Sequence, residues 1–171
     1  MIREIVTLME GQDIVQKNRA LLRTPCLNVD EITEDVLRVA QDLSDTIVAI
    51  GGLGLAANQI GETYRMFAMF DETVEDPVVL INPVFIPEEQ GGKEARPEGC
   101  FSLPGSTAVV ERWRYGQLLA MTIEGEERTY QLPYHVARIA QHEIDHLDGV
   151  LMTDRALSLQ PSPSPNVEVW A

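Results

Sequence analysis

Cysteine is scarce in this chain: Cys26 and Cys100 are the only two among 171 residues, too few for a disulfide framework. Basic residues are few as well, 13 Lys and Arg against 27 Asp and Glu, for a net charge of −14. That balance excludes non-specific attraction to nucleic acid or anionic membranes, since both repel an acidic partner. No apolar run approaches the ~20 residues needed to span a bilayer. The opening Met1-Ile2-Arg3-Glu4 carries acid early and leads into no signal-peptide core or transit segment, so a cytoplasmic setting is expected. There is no internal repeat and no block of like charge long enough for a disordered arm. The length fits one domain over 1–171, with a core over about 20–155 and an extended tail over 156–171.

What is present is periodic. Thr33 can cap a helix whose first turn holds Glu34 and Asp35, where the helix dipole favours anions. Val36, Ala40, Leu43, Ile47 and Ile50 then form a single apolar stripe, and Gly51-Gly52 ends it. Strand-like runs follow at Tyr64–Phe70, Val78–Asn82, Ala108–Trp113, Leu118–Glu124 and Arg128–Leu132, with Gly125 marking a hairpin turn. A second helix is predicted from near Pro133 through His146 to Gly149. Helix, strands, helix reads as α+β with antiparallel pairing. The Pro161–Pro165 run cannot be helical and reads as an extended connector, with a further edge strand expected over Val167–Trp170.

The chain holds three histidines, and two of them sit in His142-Glu143-Ile144-Asp145-His146. In a helix, positions four apart share a face, so both imidazoles reach one cation, while Glu143 stands beside a water without being a ligand. A catalytic site of this kind needs a third protein ligand and an open position. His135 lies seven residues before His142, ~10 Å along the helix axis, too far to join easily. Cys100, in the turn-like Pro97-Glu98-Gly99-Cys100-Phe101-Ser102, is the better third ligand, since a thiolate binds late first-row cations strongly. Cys26, beside Pro25, reads as a buried free thiol.

Gly52-Leu53-Gly54-Leu55-Ala56-Ala57-Asn58-Gln59 packs small residues tightly enough for a backbone to approach a substrate. It is not a phosphate loop, because no Lys-Ser/Thr follows, and no predicted strand precedes it as a dinucleotide fingerprint requires. The Gln59 amide can donate to a developing oxyanion.

With these three segments the chain resembles the peptide deformylases, a family marked by G-x-G-L-A-A-x-Q, E-G-C-L-S and Q-H-E-x-D-H in this order. Here they read Gly52 to Gln59, Glu98 to Ser102 and Gln141 to His146; the second departs at Phe101, where the family usually has leucine. Weaker similarity at Leu22–Pro25 and Leu80–Pro83 extends the resemblance over roughly residues 20–155. It implies removal of the N-formyl group from the initiator formyl-methionine of new polypeptides, with release of formate. Cys100, His142 and His146 then hold the metal, with Fe(II) common in the family and zinc, nickel or cobalt able to occupy the same site. Glu143 moves the proton from water to the leaving amine, and Gln59 and the backbone N–H of Phe101 face the oxyanion. Gly54 bonds the substrate backbone, with Leu53 and Gly99 beside it. The implied fold is α+β, with antiparallel sheets enclosing the metal helix.

Two features depart from the family. The helix face of His142 also carries Ile139, Arg138 and His135, where the family is mostly apolar and forms the pocket for the methionine side chain. Arg96 likewise stands where an apolar residue is common. Either arginine is an ion pair with a neighbouring carboxylate, or its guanidinium meets an anionic or polar substrate group. After His146, one base (Arg155) faces Asp148, Asp154 and Glu168, so ribosome docking through a basic C-terminal helix is not expected. The alternatives are therefore an amide hydrolase with another acyl or peptide preference, or an inactive homologue that binds metal or peptide. A conventional zinc protease would want a third ligand downstream, and no histidine follows.

Overall fold

A computed structural model describes residues 1–10, 13–70 and 76–161. Two short antiparallel strands, β1 (Met9–Glu10) and β2 (Asp13–Ile14), lead into helix α1 (Gln16–Leu22) and the long helix α2 (Glu34–Ile50). Then come β3 (Gly54–Ala56), a 3-10 turn (Ala57–Ile60), β4 (Met66–Met69) and β5 (Val78–Pro87). The second half holds β6 (Lys93–Glu98), β7 (Ser106–Trp113), β8 (Gly116–Met121), β9 (Glu127–Leu132), α3 (Tyr134–Leu147), α4 (Met152–Arg155) and β10 (Ala156–Pro161). The strands form antiparallel sheets in the orders β3-β4-β5-β8-β9 and β10-β7-β6.

α2 forms where its stripe predicts. The Thr33 hydroxyl accepts from the Val36 N–H at 3.3 Å, and Gly51 closes the helix in the left-handed region at φ 67°. Val36, Val39, Leu43 and Ile47 are buried against Leu55, Met66, Ala68 and Ile81. Burial of each such side chain contributes about 1.5–3 kcal/mol. The other face of the same sheet, through Ala56, Phe67, Met69, Leu80 and Leu118, meets Val136, Ala137, Ile139 and Ala140 of α3. β4 is therefore covered on both sides, which is why its sequence is an unbroken apolar run rather than an alternation. α3 also contacts β7 of the second sheet, so it is enclosed between the two sheets. The chain is α+β, as its element order predicts.

The strand expected to end at Asn82 continues to Pro87. Asn82 takes a left-handed φ of 51°, and the register against β8 shifts between Ile81 and Val84. The Asn82 side chain accepts from Val29 N–H at 2.9 Å and donates to Val29 O at 2.8 Å, so a bulge absorbs the proline that looked like a stop. Ala156–Pro161 is not a loose tail but a strand paired with β7. The rest of the proline-rich run and Val167–Trp170 lie outside the described residues. Among the described residues no helix is long and apolar enough to cross a membrane.

Candidate metal centre

Three donors converge. The ligand atoms of Cys100, His142 and His146 lie within 4.8 Å of one another, all buried, and Cys100 Sγ is 3.2 Å from His146 Nε2. The fold brings them together from two places. His142 and His146 share the inner face of α3, and Cys100 sits on the turn after β6, closed by Leu103 N–H donating to Cys100 O at 2.9 Å. His135 lies outside the group. His142 Nε2 is buried with no hydrogen-bond partner among the described residues, an arrangement that suits a cation in the centre. One thiolate and two imidazoles are a donor set for a late first-row divalent ion, and they fit the group. Burial works to lower the His142 imidazole, yet the neighbouring Cys100 and Glu98 outweigh it and hold it up at about 10. Burial, with the charges of His142 and Arg112, pushes His146 well below the ordinary value.

Glu143 is fully buried, and neither carboxylate oxygen has a partner among the described residues. Burial pushes its carboxyl up to about 7. It lies against β3 because residue 54 is glycine: a Cβ there would stand 2.5 Å from Glu143 Oε1 and 2.7 Å from Ile139 Cγ2. Gln59, on the 3-10 turn, accepts from Ala56 N–H at 2.8 Å through Oε1. That bond turns the amide nitrogen toward Cys100 Sγ at 3.7 Å and Ser102 Oγ at 3.4 Å. A donor therefore faces the centre, held by its own backbone. The N-terminal segment braces both loops, with Val6 N–H on Gln59 O (2.7 Å) and Leu8 N–H on Ser102 O (2.8 Å). The Phe101 ring packs on Gly52, filling space that a side chain at 52 would occupy. Leu53 is half-buried, its carbonyl accepting from Phe70 N–H at 3.1 Å, and Gly99 is half-buried before the cysteine.

Behind the centre lies a charged cluster. Glu98, fully buried, receives Arg112 through Nε and Nη2 (both 3.0 Å), Arg138 Nη1 (2.5 Å) and His142 Nδ1 (3.0 Å). Burial alone would raise this carboxyl, but His142 and Arg112 hold it well below the usual carboxylate range. Arg112 also pairs with Asp145, which in turn receives Arg155 at 2.6 and 2.7 Å. Gln141 ties α3 to β7 by accepting from Trp113 N–H (3.0 Å) and donating to Trp113 O (2.9 Å). A cavity of ≈ 360 Å³ opens beside the centre, lined by Arg96, Pro97, Tyr134, His135, Arg138 and Ile139.

The profile of the family described as Polypeptide deformylase matches residues 11–162. The chain belongs to the peptide deformylase family. It is 41% identical over 146 residues to the peptide deformylase of Desulforudis audaxviator, covering 85% of this chain and 94% of that one. To the enzyme of Dictyoglomus thermophilum it is 39% identical over 137 residues, covering 80% and 87%. Among solved structures, the peptide deformylase of Thermotoga maritima superposes with a TM-score of 0.77 at 29% identity, covering 92% of this chain and 99% of that one. The structure from Thermus thermophilus gives 0.77 at 34%, covering 91% and 86%.

Of the two readings of the arginines, the ion pair with a neighbouring carboxylate is the one the geometry shows. Arg138 does border the cavity, but its guanidinium turns away to Glu98, Val110 O (3.1 Å) and Glu94 O (2.7 Å). Arg96 is exposed at the rim, paired with Glu94 at 3.1 Å and lying 4.7 Å over the Tyr134 ring. Each charge is answered by a carboxylate, Arg138 by buried Glu98 and Arg96 by Glu94 at the surface. His135 stays in the cavity wall. Arg138→Met is therefore expected to lower stability by about 1–3 kcal/mol through the lost charged hydrogen bonds, while the ranking of acyl-peptide substrates stays as in the parent. Denaturant unfolding and kcat/KM across a substrate panel check this; a reordered ranking would put the guanidinium in the substrate's path. Sequence reasoning missed Glu98 and Arg112 as parts of the site, although Glu98 stands in the motif that holds Cys100.

Proposed function

We propose that this chain removes the N-formyl group from the formyl-methionine that begins nascent polypeptides, releasing formate, with one divalent ion, natively Fe(II), held by Cys100, His142 and His146. The observation that carries the reading is a buried carboxylate, Glu143, with no hydrogen-bond partner among the described residues, beside a Cys/His/His donor group. When bound, the ion supplies Lewis acidity and a nucleophilic hydroxide at neutral pH. Glu143 takes the proton of the attacking water and returns it to the amine nitrogen as the formamide C–N bond breaks. The Gln59 amide and the Phe101 N–H donate to the oxygen that gains charge, and the Gly54 backbone aligns the peptide. The cavity at Ile139 and Pro97 receives the methionine side chain. An inactive binding homologue has no use for Glu143 and a Gln59 donor held in this way.

The test is formate release from formyl-Met peptides by anaerobically prepared Fe(II) protein, run against peptides carrying other N-acyl groups. The expected result is turnover of the formyl-methionyl peptides ahead of the rest. No formate release, or a preference for a different acyl group, would overturn the assignment.

A further inference from the structure

We infer that Glu98 positions His142 for the metal, and that Arg112, bonded to both of its oxygens, holds Glu98 in place to do so; the inference rests on the three-ligand reading of the centre. Glu98 ends β6 and is fully buried. Its Oε1 receives Arg112 Nε and Arg138 Nη1, and its Oε2 receives Arg112 Nη2 and His142 Nδ1. Four donors on two oxygens use the roughly four acceptor positions of a carboxylate. The group cannot rotate without breaking a charged hydrogen bond, and it can only accept. His142 Nδ1 must therefore carry the hydrogen, which leaves Nε2 as the lone-pair nitrogen. That nitrogen is buried and has no hydrogen-bond partner among the described residues.

His146 is held differently. Its Nδ1 has no partner among the described residues, and its place is fixed through the backbone, where Asn58 Nδ2 donates to His146 O at 2.6 Å. The two imidazoles are thus inequivalent: His142 is oriented through its ring by an anion, His146 through the helix that carries it. The three residues that clamp or carry His142 come from β6, β7 and α3, so the clamp spans the sheet and the helix. If Glu98 served only to neutralise two arginines, the fourth bond to the ring would have no consequence for the metal.

The experiment separates these roles. Glu98→Gln combined with Arg138→Met removes one charge of each sign and leaves the net charge of the cluster unchanged. Circular dichroism and the thermal midpoint of the metal-free proteins check the fold. Affinity for Co(II) and Zn(II) is read by chelator competition, and the visible spectrum of the Co(II) form reads its ligand field. The expected result is a folded variant whose affinity falls about 10–100-fold with a shifted Co(II) spectrum. Arg138→Met alone keeps both the Arg112 and His142 bonds of Glu98 and is expected to keep parental affinity. Glu98→Asp is the second arm: the charge stays but the carboxylate stops one methylene short of the ring, and the same loss is expected. Parental affinity and spectrum in a folded Glu98 variant would sink this inference alone. A parent chain that takes up neither metal would sink the ligand assignment and this inference together.

Discussion

Glu143→Ala is expected to keep the fold and the metal and to lose about 10²–10⁴-fold in turnover, the usual worth of a positioned acid–base group. The carboxylate is fully buried, and its oxygens have no hydrogen-bond partner among the described residues. An isolated buried carboxylate is costly to hold, so its removal relieves strain on the folded state rather than adding to it. The thermal midpoint should therefore stay level or rise while kcat collapses. Asp145, the nearest alternative base in the motif, cannot take over, because its oxygens are bound to Arg112 and Arg155. Metal content and single-turnover kinetics check the result, and near-parental turnover in a metal-loaded variant would move the base elsewhere.

Local signals in the sequence were legible wherever one element carried the whole message. The α2 stripe, its Thr33 cap and its glycine stop are all written between Thr33 and Gly51, and the His142/His146 spacing is a property of one helix. β4 was legible for the same reason, since cover on both faces leaves a plain apolar run. β6 was not, because Lys93–Glu98 is an edge strand with charged, exposed positions and a proline, which resembles a loop. β10 was read as tail for a similar reason: only its pairing with β7 makes it a strand.

The fate of Arg138 shows the limit at the site. Helical spacing places its stem beside the cavity, and the structure agrees. Where its charge goes depends on Glu98, forty positions away, and on carbonyls of β6 and β7. Nothing in the local pattern of α3 distinguishes a guanidinium facing a substrate from one that grips a buried carboxylate. The energetic cost of an unpaired buried cation narrows the choice to a partner, without naming it.

Cys100→Ser is expected to give the largest loss of metal among the substitutions considered, beyond the about 10–100-fold expected for the Glu98 variants. Serine places a neutral oxygen where the ion needs a charged, polarisable sulfur, so a direct bond weakens rather than its orientation. The fold should survive. Cys100 packs with Leu22, Leu103, Val110 and Leu151, and the exchange to serine alters the side-chain volume little. Gln59 Nε2, now near Sγ and the Ser102 hydroxyl, can donate to the new oxygen and keep its own position. The decisive comparison is the order of Zn(II) affinities: parent, then Glu98→Asp, then Cys100→Ser. If Cys100→Ser binds as the parent does, the third ligand is not Cys100. Among the described residues no other His, Cys, Asp or Glu joins the two imidazoles, and His135 stays in the cavity wall. The centre would then be a two-histidine site open to water on two sides, which is a poor holder of any late first-row ion and a different enzyme from the one proposed.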